Sequence, residues 1–138
     1  DFISGFPTET KTAHQSNLNL INEIDVCWGH VFPFSPREGT PAASMPQLKV
    51  DIRKSRAKEL RLACEQNTKN WLIKQIGSFS NVLMESNLTG RCEYFSNVKI
   101  SNEVEPGSIQ KVKINYTDGL FLKGKPIKFK EKLYNELV

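Results

Sequence analysis

The first half of the chain combines short apolar runs with a stretch of helical spacing. Asp1–Phe6 is apolar and runs into Pro7, which predicts a short strand that ends in a tight loop. Apolar residues then recur every three or four positions, which predicts an amphipathic helix from Thr10 to about Asp25. A second apolar run at 29–34 predicts a second buried strand. Strand, helix and strand in this order are typical of a right-handed unit with parallel strands.

The next segment is a loop followed by a long helix. Residues 35–46 contain three prolines and a glycine, which indicate a loop. Lys49 to about Gln75 is charged and helical, and its apolar residues Ala57, Leu60, Cys64 and Trp71 fall on one face. Its basic residues alternate with acidic ones, which predicts an exposed, salt-bridged face. These basic residues are Lys49, Arg53, Lys54, Arg56, Lys58 and Arg61.

The pattern changes near Gly77 from helical spacing to alternation. Val98 and Ile100 alternate with polar neighbours. Further on, Val112, Ile114 and Tyr116 alternate with Lys111, Lys113 and Asn115. Turn signals at 87–90, 105–107 and 118–119 separate the runs, which predicts four or five short antiparallel strands in a small closed barrel. The charged tail Lys128–Val138 is predicted to add a short helix or to fray.

These patterns predict an α/β plus β protein with two domains, residues 1–70 and 71–138. A parallel sheet of only two strands leaves an open edge and an uncovered face, so residues 1–70 are expected to need neighbours from outside this chain. The chain opens inside an apparent buried strand, and its only methionines are Met45 and Met84. We therefore expect it to be a piece of a longer protein.

Composition excludes several classes of protein. The chain has 138 residues, a formal charge of +4 and 38% hydrophobic residues. No apolar run approaches the roughly 20 residues of a membrane helix, so no membrane partner is expected. Cys27, Cys64 and Cys92 are too scattered for a disulfide framework or an iron–sulfur run, which favours a reducing compartment such as the cytoplasm. Neither His14 nor His30 has a neighbour at metal-ligand spacing, so no metal site is predicted.

The basic residues concentrate toward the C-terminus. Residues 71–138 carry ten Lys and Arg against seven acids, a net +3, whereas residues 1–70 carry nine against eight. Lysines on one outward strand face, with Tyr94 and Phe95 on another strand, suit single-stranded or looped RNA, because phosphates meet cations and bases stack on rings. A solvated lysine surface is the alternative interpretation. The predicted RNA-binding residues are Arg91, Tyr94, Lys99, Lys111 and Lys113.

Two loops are candidates for a ligand site, because each follows a parallel strand at its carboxyl end. The first begins at Gly5, which allows a ligand to approach the backbone closely. The second contains Arg37, whose fork of donors suits a carboxylate or a phosphate. The alternatives are an ordinary strand-to-helix turn and a solvated arginine paired with Glu38.

Both loops resemble those of one enzyme family. Residues 1–10, DFISGFPTET, resemble the D-x-I-x-G-F-P-G-E-T segment of radical-SAM methylthiotransferases. Residues 30–46, HVFPFSPREGTPAASMP, look like the next barrel strand and loop of that family. The opening His-Val-Phe-Pro and the closing Met-Pro are most similar to the threonylcarbamoyladenosine tRNA branch, and less to the isopentenyladenosine and ribosomal-protein branches. The C-terminal barrel falls where the family carries its RNA-binding TRAM domain.

This resemblance implies a fold and a chemistry. Residues 1–70 would end a radical-SAM (β/α) barrel and carry a long connecting helix, and residues 71–138 would be the TRAM barrel. The family uses S-adenosylmethionine and [4Fe–4S] clusters to attach a methylthio group at C2 of a modified adenine beside the anticodon. Ile3, Gly5 and Phe6 would line the adenosyl pocket, and Arg37 would face the cofactor or the substrate. The TRAM barrel would grip the tRNA anticodon stem-loop.

Two departures from the family pattern limit what this chain is expected to do. Thr8 stands where the family has a glycine. The Cys-x-x-x-Cys-x-x-Cys run that binds the radical cluster is absent from the chain, so we predict no catalytic residue and no metal ligand here. Activity would require the N-terminal part of the same enzyme. Two alternatives stay open: an RNA-binding remnant that uses only the barrel, and an inactive, poorly soluble decay product.

Overall fold

A computed structural model describes residues 1–127, and the chain divides into two compact units between Trp71 and Leu72. The prediction for the tail Lys128–Val138 lies outside the described residues. Among residues 1–127, none of the helices has the length and apolarity to cross a membrane.

The first unit begins with the strand–helix–strand order that the sequence predicts. Its elements are β1 (Phe2–Ser4), α1 (Lys11–Glu23), β2 (Val31–Pro33), a 3-10 turn (Pro41–Ser44) and the start of α2 (Val50–Lys74). The strands are parallel, with Phe2 opposite Val31. Thr10 caps α1, because its Oγ1 accepts a hydrogen bond from the Ala13 amide at 3.0 Å.

Helices cover one face of the two-stranded sheet. Ile21 of α1, Val31 of β2 and Leu60 of α2 belong to one buried cluster. On the opposite face, Ile3 and Phe32 lie side by side on the two strands and are 63% and 57% exposed. The predicted uncovered face is therefore confirmed.

The prediction that the basic side of α2 is exposed is wrong for its three arginines, although one of them, Arg56, does form an ion pair, with Glu9. Arg53, Arg56 and Arg61 are half-buried. Their Nη1 atoms donate to the backbone carbonyls of Phe34, Glu9 and Val31 at 2.8, 2.7 and 2.9 Å. The reason is that carbonyl oxygens in and beside a two-stranded sheet lack ladder partners, and a guanidinium has donors to satisfy them.

The second unit is a closed five-stranded barrel in the order β3-β4-β5-β7-β6. Its strands are β3 (Phe79–Met84), β4 (Thr89–Cys92), β5 (Asn97–Ile100), β6 (Ile109–Thr117) and β7 (Leu122–Pro126). The predicted barrel is confirmed, but β5 and β7 pair in parallel. An odd number of strands cannot alternate in direction around a closed ring, so one neighbouring pair must be parallel.

Two local predictions for the barrel are wrong. Alternation would place Tyr116 inside with Val112 and Ile114, but a bulge between Ile114 and Tyr116 turns the ring outward, where it is 57% exposed. The turn signal at 87–90 predicts a turn at Gly90, which instead lies buried inside β4. A β-carbon at Gly90 would collide with the Leu83 carbonyl oxygen, so the close approach of β3 and β4 requires glycine there.

Candidate functional sites

The loops that follow β1 and β2 lie side by side. The Phe34 amide donates to the Ser4 carbonyl oxygen at 2.7 Å, which extends the strand pairing into the loops. The Phe6 and Phe34 rings then meet edge to face, with their centroids 5.2 Å apart. The two predicted ligand loops therefore start from the same edge of the sheet.

Gly5 is held against α2 in a conformation that suits glycine. Its φ is +82°, and a β-carbon would collide with the Arg53 side chain. The Arg53 guanidinium donates a hydrogen bond to the Phe34 carbonyl oxygen, so this one side chain contacts the start of both loops.

A buried carboxylate, that of Glu9, fixes the first loop. The Glu9 side chain is 7% exposed, and its Oε2 accepts a hydrogen bond from the Gly5 amide at 3.0 Å. Its Oε1 accepts from Arg56 Nη1 at 2.7 Å. The two partners are 47 residues apart, so local sequence carries no signal for this pair.

His14 joins the same group of polar side chains. It is buried, and its Nε2 lies 2.9 Å from Glu59 Oε2, while Nδ1 lies 4.0 Å from Glu9 Oε1. The hydrogen bond from His14 lowers the pKa of the Glu59 carboxyl below its usual range. Glu9, His14, Arg56 and Glu59 thus form a polar cluster that holds the first loop on the two helices. We call it the loop-anchoring cluster.

The remaining residues predicted for the loop site are accessible. Ile3 lies on the uncovered sheet face, and Phe6 is 39% exposed. Arg37 is exposed, and its backbone carbonyl accepts hydrogen bonds from Thr40.

The barrel exterior carries opposed lysines. Lys99 of β5 lies directly opposite Lys123 of β7, and Lys113 of β6 lies directly opposite Lys125 of β7. We call these four residues the lysine band. Like charges directly opposite one another destabilise a sheet, so the pairing of lysine with lysine does not itself favour the fold.

Local sequence analysis missed Lys123 and Lys125 as members of this band. They alternate with Gly124, which is a signal for one outward face. Their partners come from β5 and β6, and this pairing requires the barrel topology.

Neighbouring groups modify the charges of the lysine band. Lys123 Nζ lies 2.8 Å from Asp118 Oδ2, which raises the pKa of the lysine and lowers that of the carboxyl. The same ammonium lies 5.7 Å from the centre of the Tyr116 ring. Lys111, a predicted RNA-binding residue beside the band, lies over the Phe79 ring at 5.8 Å. Cations and accessible ring faces therefore share this surface.

The other predicted RNA-binding residues lie around the β4–β5 hairpin. Arg91 points outward from β4, and its Nε lies 3.2 Å from Glu85 Oε1, so its charge is partly neutralised. Tyr94 is 57% exposed. The prediction that Tyr94 and Phe95 lie on a strand is wrong, because the chain reverses between Cys92 and Ser96 and places both residues in the turn.

The structure describes no metal centre. Within residues 1–127, no three His, Cys, Asp or Glu side chains are grouped so that they could hold a metal ion. Cys64 and Cys92 are buried, and Cys27 is partly exposed. Burial raises the pKa of the Cys64 thiol, which keeps it in the unreactive protonated form.

Comparison with known proteins points to one family. No family model matches the chain. The threonylcarbamoyladenosine tRNA methylthiotransferase MtaB of Rickettsia prowazekii is 40% identical over 114 residues, which are 83% of this chain and 27% of that enzyme. The tRNA-2-methylthio-N(6)-dimethylallyladenosine synthase of Tropheryma whipplei is 36% identical over 84% of this chain and 27% of its own length. The synthase of the same name from Erwinia tasmaniensis is 33% identical over 90% of this chain and 29% of its own length.

The chain thus spans between a quarter and a third of the length of these relatives. The small parallel sheet with two helices, followed by a closed five-stranded barrel, is consistent with the end of a radical-SAM barrel and a TRAM domain. The chain belongs to the tRNA methylthiotransferase family and corresponds to its C-terminal region.

Proposed function

We propose that this chain is the C-terminal part of an enzyme that adds a methylthio group to C2 of threonylcarbamoyladenosine next to the tRNA anticodon. The observation that carries the proposal is the junction of the two loops, where Arg53 contacts Gly5 and the Phe34 carbonyl. Residues 1–70 would end the radical-SAM barrel, and residues 71–138 would form the TRAM domain. Such an enzyme works in the cytoplasm, and three free cysteines fit a reducing compartment.

The uncovered sheet face fits an adenosyl group. Ile3 and Phe32 offer exposed apolar side chains there, and the exposed Phe6 ring lies in the loop that follows β1. In this proposal Ile3, Gly5 and Phe6 hold the adenosyl group, and the Arg37 guanidinium binds a carboxylate of the cofactor or the substrate. When bound, S-adenosylmethionine supplies the radical and the methyl group, and these four residues orient it.

Residues 1–127 do not fit an iron–sulfur cluster, because they group no set of candidate ligands. We therefore assign the [4Fe–4S] clusters to no residue of this chain and derive no step through them. The contribution proposed for this chain is binding and orientation of cofactor and tRNA.

The barrel would bind the anticodon stem-loop. Lys99, Lys111 and Lys113 are exposed, and Lys111 lies over the half-exposed Phe79 ring, which suits phosphates and unpaired bases. Arg91 and Tyr94 would add contacts from the β4–β5 hairpin. The opposed lysines support this assignment, since a polyanion relieves their mutual repulsion.

A chimeric enzyme tests the proposed function. This chain would replace the matching stretch of the Rickettsia prowazekii enzyme in a bacterial strain that lacks the modification. We expect 2-methylthio-threonylcarbamoyladenosine in the tRNA nucleosides, measured by mass spectrometry. In the chimera, Arg37→Ala should lower the product, because the guanidinium that would bind a carboxylate of the cofactor or the substrate is lost. A methylthio group on dimethylallyladenosine instead would refute the choice of branch.

A non-catalytic RNA-binding module is the second candidate function. The lysine band favours it, because phosphate binding by these lysines needs neither cofactor nor cluster. In that case the chimera makes no product, while the chain alone binds an anticodon stem-loop with an affinity that falls steeply as salt rises. Binding that is absent or insensitive to salt would exclude RNA binding by the barrel in both candidates.

A further inference from the structure

The turn between β4 and β5 places an aromatic residue where a hairpin normally has glycine. The Phe95 amide donates to the Cys92 carbonyl at 2.9 Å, and the Cys92 amide donates to the Ser96 carbonyl at 3.0 Å. This is a three-residue hairpin loop whose third residue, Phe95, has a φ of +60°. Glycine is the preferred residue at the left-handed position of such a loop.

Phe95 does not serve the stability of the barrel in this position. A β-carbon in the left-handed region is unfavourable for the backbone. The ring is 80% exposed, so little apolar burial offsets that cost. A residue that breaks a local rule without a gain in packing is expected at a functional site.

The surroundings of the ring identify the partner. Tyr94, 57% exposed, precedes it, and Lys99 follows four residues later, at most about 13 Å along β5. Lys99 opens the lysine band through its pairing with Lys123. Two exposed rings thus lie beside a row of opposed cations. This arrangement suits a single strand of nucleic acid, whose phosphates bind the cations and whose bases stack on the rings.

We propose that Phe95, together with Tyr94, is a stacking site for an unpaired base of an RNA loop. This inference rests on the proposed binding of RNA by the barrel and adds to it the position of one base. RNA is favoured over a protein partner because the neighbouring strand faces present lysines directly opposite one another, and a chain of phosphates complements them. In a duplex the bases are already stacked, so the site selects loops and single strands.

The test compares variants of the full 138-residue chain on two RNA probes. One probe is an unmodified tRNA anticodon stem-loop, and the other is a blunt duplex with the sequence of its stem. Phe95→Gly removes the ring and relieves the backbone, whereas Phe95→Tyr keeps a ring. Leu120→Ala is the matched control, because Leu120 is a 75% exposed apolar residue in the β6–β7 turn. Lys113→Gln tests the lysine band.

We expect Phe95→Gly to weaken stem-loop binding about 5- to 150-fold, the range for loss of one stacked base. Duplex binding and the salt dependence stay unchanged, because no cation is lost. Phe95→Tyr retains the affinity for the stem-loop, and Leu120→Ala binds like the wild type. The melting temperature of the barrel is unchanged or higher in Phe95→Gly, since glycine suits the left-handed position.

Other outcomes overturn the inference in distinguishable ways. If Lys113→Gln weakens stem-loop binding and Phe95→Gly does not, the stacking site is refuted and RNA binding by the barrel stands. If the wild-type chain shows no salt-dependent binding, both are refuted. A lower melting temperature in Phe95→Gly would make the ring a structural residue. Unchanged RNA affinity with loss of self-association in sedimentation would make it a protein contact.

Discussion

Replacing Glu9 by glutamine should destabilise the first unit and spare the barrel. The Glu9 carboxylate accepts from the Gly5 amide at 3.0 Å and from Arg56 Nη1 at 2.7 Å, with 7% of its side chain exposed. Glutamine keeps the shape but offers one acceptor oxygen instead of two, so it can accept from only one of these donors while its NH2 group faces the other. The Arg56 side chain, which is 14% exposed, would still donate to the backbone carbonyl of residue 9, which is an uncharged acceptor.

The magnitude follows from these contacts. A hydrogen bond to a charged group contributes about 1.5–3 kcal/mol, so the loss of one of the two gives about 2 kcal/mol. Removal of the whole acceptor in Glu9→Leu should cost about 3–5 kcal/mol, because it leaves a largely buried guanidinium unpaired. For a unit of this size, 2 kcal/mol lowers the melting temperature by roughly 8–16 °C.

The assay can separate the two units because of where the tryptophans lie. The chain has two, Trp28 and Trp71, and both belong to the first unit, with ring centroids 5.0 Å apart. Tryptophan fluorescence therefore follows the first unit, and hydrogen exchange of the barrel amides follows the second. Glu38→Gln, an exposed carboxylate in the neighbouring loop, is the control for the change in charge. The role of the loop-anchoring cluster would be refuted if the tryptophan-detected unfolding curve of Glu9→Gln superimposed on that of the wild type. It would also be refuted if Glu38→Gln shifted the curve by the same amount.

Three further predictions concern the barrel. Lys113→Glu should raise the barrel melting temperature by a few degrees in a thermal scan, because attraction to the opposed Lys125 replaces a repulsion of about 0.2–1 kcal/mol. The same variant should reduce the slope of log affinity for RNA against log salt concentration by about 0.7–0.9, because one phosphate contact is lost. The hydrogen bond from Lys123, followed by those from backbone amides, lowers the pKa of the Asp118 carboxyl in the folded barrel. The ionised carboxylate therefore stabilises the barrel fully above the ordinary pKa of Asp, and this stabilisation is lost as the pH falls below it. The melting temperature should thus fall more in wild type than in Asp118→Asn between about pH 5 and pH 2; equal falls would contradict this. Gly90→Ala should destabilise the barrel by about 1–3 kcal/mol in urea titrations, because the new methyl group meets the carbonyl of the neighbouring strand.

Local pattern was sufficient to predict most elements of the fold. Helical spacing located α1 and α2, and alternation located β5 and most of β6, because these signals depend only on which neighbours in sequence share a face. The alternation failed at the bulge before Tyr116, since one extra residue reverses the face of everything that follows it. The parallel pairing of β5 and β7 required the number of strands and the closure of the barrel.

The candidate sites were less accessible to sequence reasoning because their geometry is long-range. The loop motifs located Gly5 and the start of the second loop, but the loop-anchoring cluster joins Glu9 to Arg56 across 47 residues. A helix rich in arginine and acid looks the same in sequence whether its charges face water or loop carbonyls. Likewise, Lys99 and Lys123 are recognisable as a pair only once β7 lies beside β5.

The interior and the exterior of the barrel follow different rules, and this difference argues for a polyanionic partner. Inside, Val82, Val98 and Val112 alternate as packing demands and are fully buried. Outside, lysines stand opposite lysines, and Phe95 occupies a position that favours glycine. The opposed Lys113 and Lys125 and the left-handed backbone of Phe95 each lower the stability of the free barrel, so folding alone does not explain either one. A chain of phosphates with unpaired bases would make both favourable, because it neutralises the opposed cations and gives the exposed ring a surface to stack on.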